Sequence, residues 1–230
     1  MRANSGQRGA ARWAAAVPVA VAVALAVTGC GQTQLGAAAL YGGQRISAST
    51  LADEIANLNS GYQQYHAKVQ IPYKPAAMPR EVLTWMLRFA ATNQVAAREG
   101  INVTAAEAQA QLASERSAAA QSGDTLREIA VLSGLPPDML PKVGRWLAIE
   151  SRLQDLLDNG VAPTTTAGRD ALGAAIEHQQ CLAAKSLNIK VNPQYGTFDY
   201  TSLEVVPSVV TLSGLSAAGK SHAKAPATTC

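Results

Sequence analysis

Two Thr-x-x-Glu boxes constrain this chain more than any other feature. Thr104 precedes Glu107, Thr125 precedes Glu128, and a glycine, Gly100 or Gly123, stands shortly before each box. The threonine hydroxyl at an N-cap accepts from an amide three residues on, while the glutamate reaches back to the cap amide. Each box therefore opens a helix. Similar punctuation recurs along the chain. Pro79 stands where a helix can begin, Gly134-Leu135-Pro136-Pro137 breaks one, and Asn159-Gly160 with Pro163 stops another. Between these marks alanine dominates and aromatics make up only 5%. Alanine is a good helix former and a poor strand former, so the expected class is mainly α.

Apolar spacing places the individual helices. The first opens near Ser49 or Thr50, with Asp53 as the capping partner of Thr50, and Leu51, Ile55, Leu58, Tyr62 and Tyr65 follow at steps of three and four. Pro72, Pro75 and Pro79 enforce a loop over 69–79. A second helix runs over 79–99 with Val82, Trp85, Met86 and Phe89 as its stripe, widened by Leu83 and Leu87, and Gly100 as C-cap. The third, 105–120, has only Leu112 as a large apolar residue and reads as peripheral. A short helix over 126–132 and a long one over 138–158 come next. The last, 166–187, puts Leu172, Ala175, Ile176, Gln179 and Ala183 on one face and leaves Cys181 opposite and exposed.

Extended pieces are few. Residues 37–41 and 44–47 flank Gly42-Gly43, which supplies the positive φ angles of a tight turn. Residues 188–191 form another short strand, and 194–198 read as a turn. A strand before the first helix and one after the last can pair, giving a minimal two-strand β element that joins the two ends of the domain.

The N-terminus reads as a targeting segment. Arg2, Arg8 and Arg12 precede an apolar run over 13–27, which is shorter than the ~20 residues of a membrane-spanning helix. The run ends in Val27-Thr28-Gly29-Cys30, which resembles the bacterial lipobox, where the cysteine carries lipid and becomes the first mature residue. The expected organisation is a signal peptide over 1–29, lipidation at Cys30, a tether over 30–36, a helical domain over 37–207 and a disordered tail over 208–230. Of 19 Lys and Arg and 16 Asp and Glu, residues 1–29 hold three arginines and no acid, so the remainder is formally neutral. A neutral chain offers nothing to nucleic acid, and membrane attachment rests on the lipid alone, at the extracytoplasmic face of the cell membrane. Cys181 and Cys230 can pair outside the cytoplasm, but spacing shows no proximity, and two unpaired thiols are the favoured reading.

The order of these elements resembles the N-terminal chaperone domain of the SurA/PrsA-type foldases, in an actinobacterial lipoprotein form. Three segments carry the resemblance. Leu40-Tyr41-Gly42-Gly43-Gln44-Arg45-Ile46 takes the place of the opening strand. Gly100, Ile101, Val103, Thr104 and Glu107 match the motif after the second helix. Ile189, Val191, Asn192, Pro193, Tyr195 and Gly196 match the closing one. The likeness spans 37–198. Foldases of this type usually insert a parvulin prolyl-isomerase domain before the last helix, and here Gly160 and Thr166 leave no room for it. The resemblance therefore implies polypeptide binding without isomerase activity.

No catalytic constellation accompanies this pattern. There is no Gly-x-Ser-x-Gly elbow, P-loop or dinucleotide fingerprint, and His66, His178 and His222 are too scattered for a zinc site. The expectation is a non-enzyme without cofactor or metal. Met78, Trp85, Met86 and Phe89, with Tyr73 in the proline-rich loop, are the candidate peptide-binding residues. Methionine adapts its shape and aromatics offer large contact area. Each of them taken singly reads more readily as core, with Tyr73 the most exposed. The function expected is a lipid-anchored extracytoplasmic holdase for unfolded or newly exported polypeptides. The alternative is a structural or adaptor envelope lipoprotein holding one dedicated partner.

Overall fold

The computed structural model describes residues 36–68, 70–208 and Cys230. The signal segment, Cys30 and most of the expected tail lie outside the described residues. No described helix is long and apolar enough to cross a membrane.

The described residues are mainly α, with six α-helices and two small antiparallel sheets. Strands β1 (Ala37–Tyr41) and β2 (Gln44–Ser47) form a hairpin closed by Gly42 and Gly43, whose φ values of 52° and 77° suit a two-residue turn. Helix α1 (Ala48–Tyr65) starts earlier than expected. Its N-cap is Ser47, whose hydroxyl accepts from the Thr50 amide at 2.9 Å, so Thr50 lies inside the first turn and Asp53 is not its cap partner. Helix α2 (Met78–Glu99) follows a single 3-10 turn at Pro75–Ala77. It carries Glu81 in its first turn and Arg98 in its last, as the helix dipole favours.

Both capping boxes close as the sequence predicts. They open α3 (Ala105–Gln121) and α4 (Leu126–Leu132). After a 3-10 turn at Pro137–Met139, α5 (Leu140–Leu157) runs to the loop before α6 (Thr166–Ser186). Strand β3 (Lys190–Val191) pairs antiparallel with β1, Ala39 facing Val191, giving the order β2-β1-β3. Asn192 continues this ladder. Its amide donates to the Ala38 carbonyl at 2.9 Å and its side chain to that of Ala37 at 3.1 Å. The two ends of the domain are thus joined as expected, by three strands rather than two.

A second sheet was not legible. Strands β4 (Thr197–Asp199) and β5 (Glu204–Val206) form a hairpin where a turn was expected. Three residues per strand show too little alternation to signal a strand, and the hairpin is held largely by α2. The Val205 amide donates to the buried Thr84 hydroxyl at 2.9 Å. Arg88 donates to the Leu203 carbonyl at 3.2 Å and pairs with Glu204 at 2.7 Å.

Helix α2 is the axis of the core. It contacts α1, α5, α6 and β5. Leu51, Leu58, Val82, Leu83, Leu87 and Val131 fill the largest buried cluster. Phe89, Leu112, Met139, Leu140 and Val143 fill a second between α2, α3 and α5, and Val95, Ile149, Leu153 and Ala183 a third.

The C-terminus corrects two expectations. Cys181 and Cys230 are joined by a disulfide with their Cα atoms 5.7 Å apart. Cys181 is buried, not exposed. The inward face of α6 is rotated from the one expected, because Ala183, Ala184 and Leu187 point into the core, and Cys181 sits one turn before Ala184. At the start of the expected tail, the Ser208 hydroxyl donates to the Pro193 carbonyl at 3.3 Å.

Candidate functional site

The five candidate peptide-binding residues do not share one surface. Met78 and Phe89 are buried, in the first and second clusters respectively. Met86 is half-buried and packs against both. The Trp85 ring stands 5.8 Å from Phe89 and edge-on to Trp146 at 5.7 Å, and its indole N–H donates to the Ser133 carbonyl at 2.9 Å. Tyr73 is half-buried, as are Trp85 and Met86. Its hydroxyl donates to the Val131 carbonyl at 3.4 Å, and burial, with a smaller push from Glu81, raises its pKa to about 12. These residues join clusters together, and Phe89 also lines a groove between α2 and α5.

The grooves lie on α5. Three open depressions share Pro141, which is exposed in the first turn of that helix. The first, about 580 Å³, lies between the end of α3, the start of α4 and the 3-10 turn, with Leu112, Leu126 and Leu140 among its walls. The second, about 310 Å³, lies between α2 and α5 over Phe89, Trp146 and Ile149. The third, about 950 Å³, runs along α3 over Val103, Ala106, Ala110 and Leu112. Arg116 edges the first and third, and Arg145 the second and third. Together they form an apolar surface edged by Arg116, Arg127, Lys142 and Arg145 and, in the first groove, by Asp124 and Asp138.

Local interactions fix this surface. Arg145 donates to the Asn93 side chain at 2.9 Å and to the Val103 carbonyl at 3.2 Å, tying α5 to α2 and to the connector before α3. Asn93 in turn donates to the Phe89 carbonyl at 2.8 Å. On the far side of α3, Arg152 pairs with Glu107 of the capping box. Helix α3 is peripheral as expected, with only Leu112 and Ala119 buried. It packs along α5, and Gly144 lets the Ala108 carbonyl come close. Sequence reasoning missed Arg116, Pro141 and Arg145. Charged or proline residues on helix faces look alike whether they edge a groove or face open solvent, and no spacing signal distinguishes them.

Glu107 gives a pH test of the α3–α5 wall. The Thr104 amide and hydroxyl each donate to its carboxylate at 2.8 Å, and with Arg152 they hold its pKa at about 2, below the ordinary 4.5. A depressed carboxylate pKa means that the ionised form favours the fold. Its contribution is fully present above about pH 4.5 and is lost as pH falls towards about 2. Glu107→Gln should thus be less stable than the parent chain near neutral pH, and the gap should close over that window. Denaturant titrations at stepped pH check this, and a gap independent of pH contradicts it.

Among the described residues no group of His, Cys, Asp and Glu is placed to hold a metal ion. Comparison with family models, with curated proteins and with solved structures finds no match for this chain.

Proposed function

We propose that this chain is a lipid-anchored holdase that binds unfolded or newly exported polypeptides outside the cytoplasmic membrane, without prolyl-isomerase activity. The observation that carries the reading is the meeting of three open, apolar-walled grooves on Pro141. An open apolar surface of this kind suits extended chains of varied sequence. The short connection between α5 and α6 supports the absence of an isomerase domain. The lipobox ending in Cys30 supports the anchor and the location.

The described residues belong to one compact unit, so the chain from Gly31 to Cys230, without lipid, suits the test. Near-equimolar amounts should slow the aggregation of two unrelated denatured proteins, against an inert control protein. Suppression of neither, with circular dichroism showing a folded chain, removes the holdase reading. Crosslinking for one dedicated partner would then test an adaptor role.

A further inference from the structure

The rim of these grooves carries a sign. The groove between α2 and α5 is edged by Lys142 and Arg145, the groove along α3 by Arg116 and Arg145, and no carboxylate lines either. The remaining groove adds Arg127 beside Arg116, against Asp124 and Asp138. The two signs balance there, so the cationic rim belongs to the groove between α2 and α5 and the groove along α3. Arg116 and Arg127 are exposed, and neither has a hydrogen bond or ion pair among the described residues. Their charges face whatever enters.

The chain's own ends carry the wrong sign to enter. Residues 1–35 hold Arg2, Arg8 and Arg12 and no acid, and residues 209–229 hold Lys220 and Lys224 and no acid. Cations brought to a cationic rim are repelled. An apolar segment bearing carboxylates meets both requirements. Its aliphatic or aromatic residues cover Leu112, Phe89 and Pro141, while its acids pair with Arg116, Lys142 and Arg145. We propose that the grooves around Pro141 select polypeptide segments whose apolar residues are flanked by Asp or Glu. This inference rests on the holdase reading and names its substrate class.

The test uses the full-length chain in a non-ionic detergent. The probes are fluorescein-labelled peptides with one common Leu/Phe centre and flanks of glutamate, serine or lysine. Anisotropy titration at low salt should rank them glutamate, serine, lysine, with about tenfold between the extremes, as two or three exposed charge pairs give. Added salt should compress the order. The double variant R116E/K142E changes two exposed side chains that make no hydrogen bond among the described residues, and should lose or invert the order at unchanged circular dichroism. Equal affinities for the three peptides overturn the inference while leaving polypeptide binding intact. An order unmoved by R116E/K142E also overturns it. Binding of none of them removes the holdase reading itself. Displacement of the acidic peptide by phosphatidylglycerol vesicles, but not by phosphatidylcholine vesicles, assigns the rim to lipid headgroups and overturns the inference as well.

Discussion

Replacing Gly144 with leucine should cost about 3 kcal/mol or more of folding stability, at the upper end of overpacking effects. A Cβ built on Gly144 falls on the Ala108 carbonyl oxygen, far inside van der Waals contact, and 3.2 Å from the Leu112 Cβ. The obstacle is backbone, so no rotamer change relieves it. Helix α3 must move off α5, and with it the wall of two grooves. Alanine at the same position separates two explanations by sign. Helix propensity alone predicts a gain of about 1 kcal/mol for Gly144→Ala within a helix. The close approach of α3 predicts a loss, because even one methyl group meets the same oxygen. Urea titration of both variants decides. Stabilisation by alanine would show that α3 is free to yield there, and would undo the account of α3 as a fixed groove wall.

Much of the fold was legible because its signals are local. Thr104–Glu107 and Thr125–Glu128 mark helix starts whatever surrounds them, and both formed. Gly42-Gly43 requires only its own backbone to turn. The β1–β3 pairing was foreseen from two apolar segments at opposite ends of the domain. What stayed hidden depends on distant partners. The β4–β5 hairpin rests on Thr84 and Arg88, more than a hundred residues earlier. The first helix was expected to open near Ser49 or Thr50, and its cap is Ser47, at the end of β2. The disulfide was read as the less favoured option because a spacing of 49 residues carries no information on proximity. Site residues followed the same rule. A methionine and aromatic stripe was visible as a stripe. Whether it faced solvent or another helix depended on where α5 came to rest, and α5 covers most of it.

Truncating Phe89 should therefore act on the fold before it acts on binding. Phe89→Ala is expected to cost about 3–5 kcal/mol, as buried aromatic truncations do. The ring is 6% exposed, packs with Leu112, Leu140 and Val143, and lies 5.8 Å from Trp85. It also forms part of the floor between α2 and α5. A loss of peptide binding in Phe89→Ala would thus follow from a collapsed floor as readily as from a lost contact. Phe89→Leu separates the two, because it keeps an apolar side chain in the cluster at a cost of about 1.5 kcal/mol. If the groove reads apolar contact, the leucine variant should retain most of the peptide affinity while the alanine variant loses both stability and affinity. Denaturant midpoints measured beside the anisotropy titrations distinguish these cases. A Phe89→Ala midpoint equal to that of the parent chain would mean that the second cluster is not the support of the groove. The binding surface would then have to be sought away from Pro141.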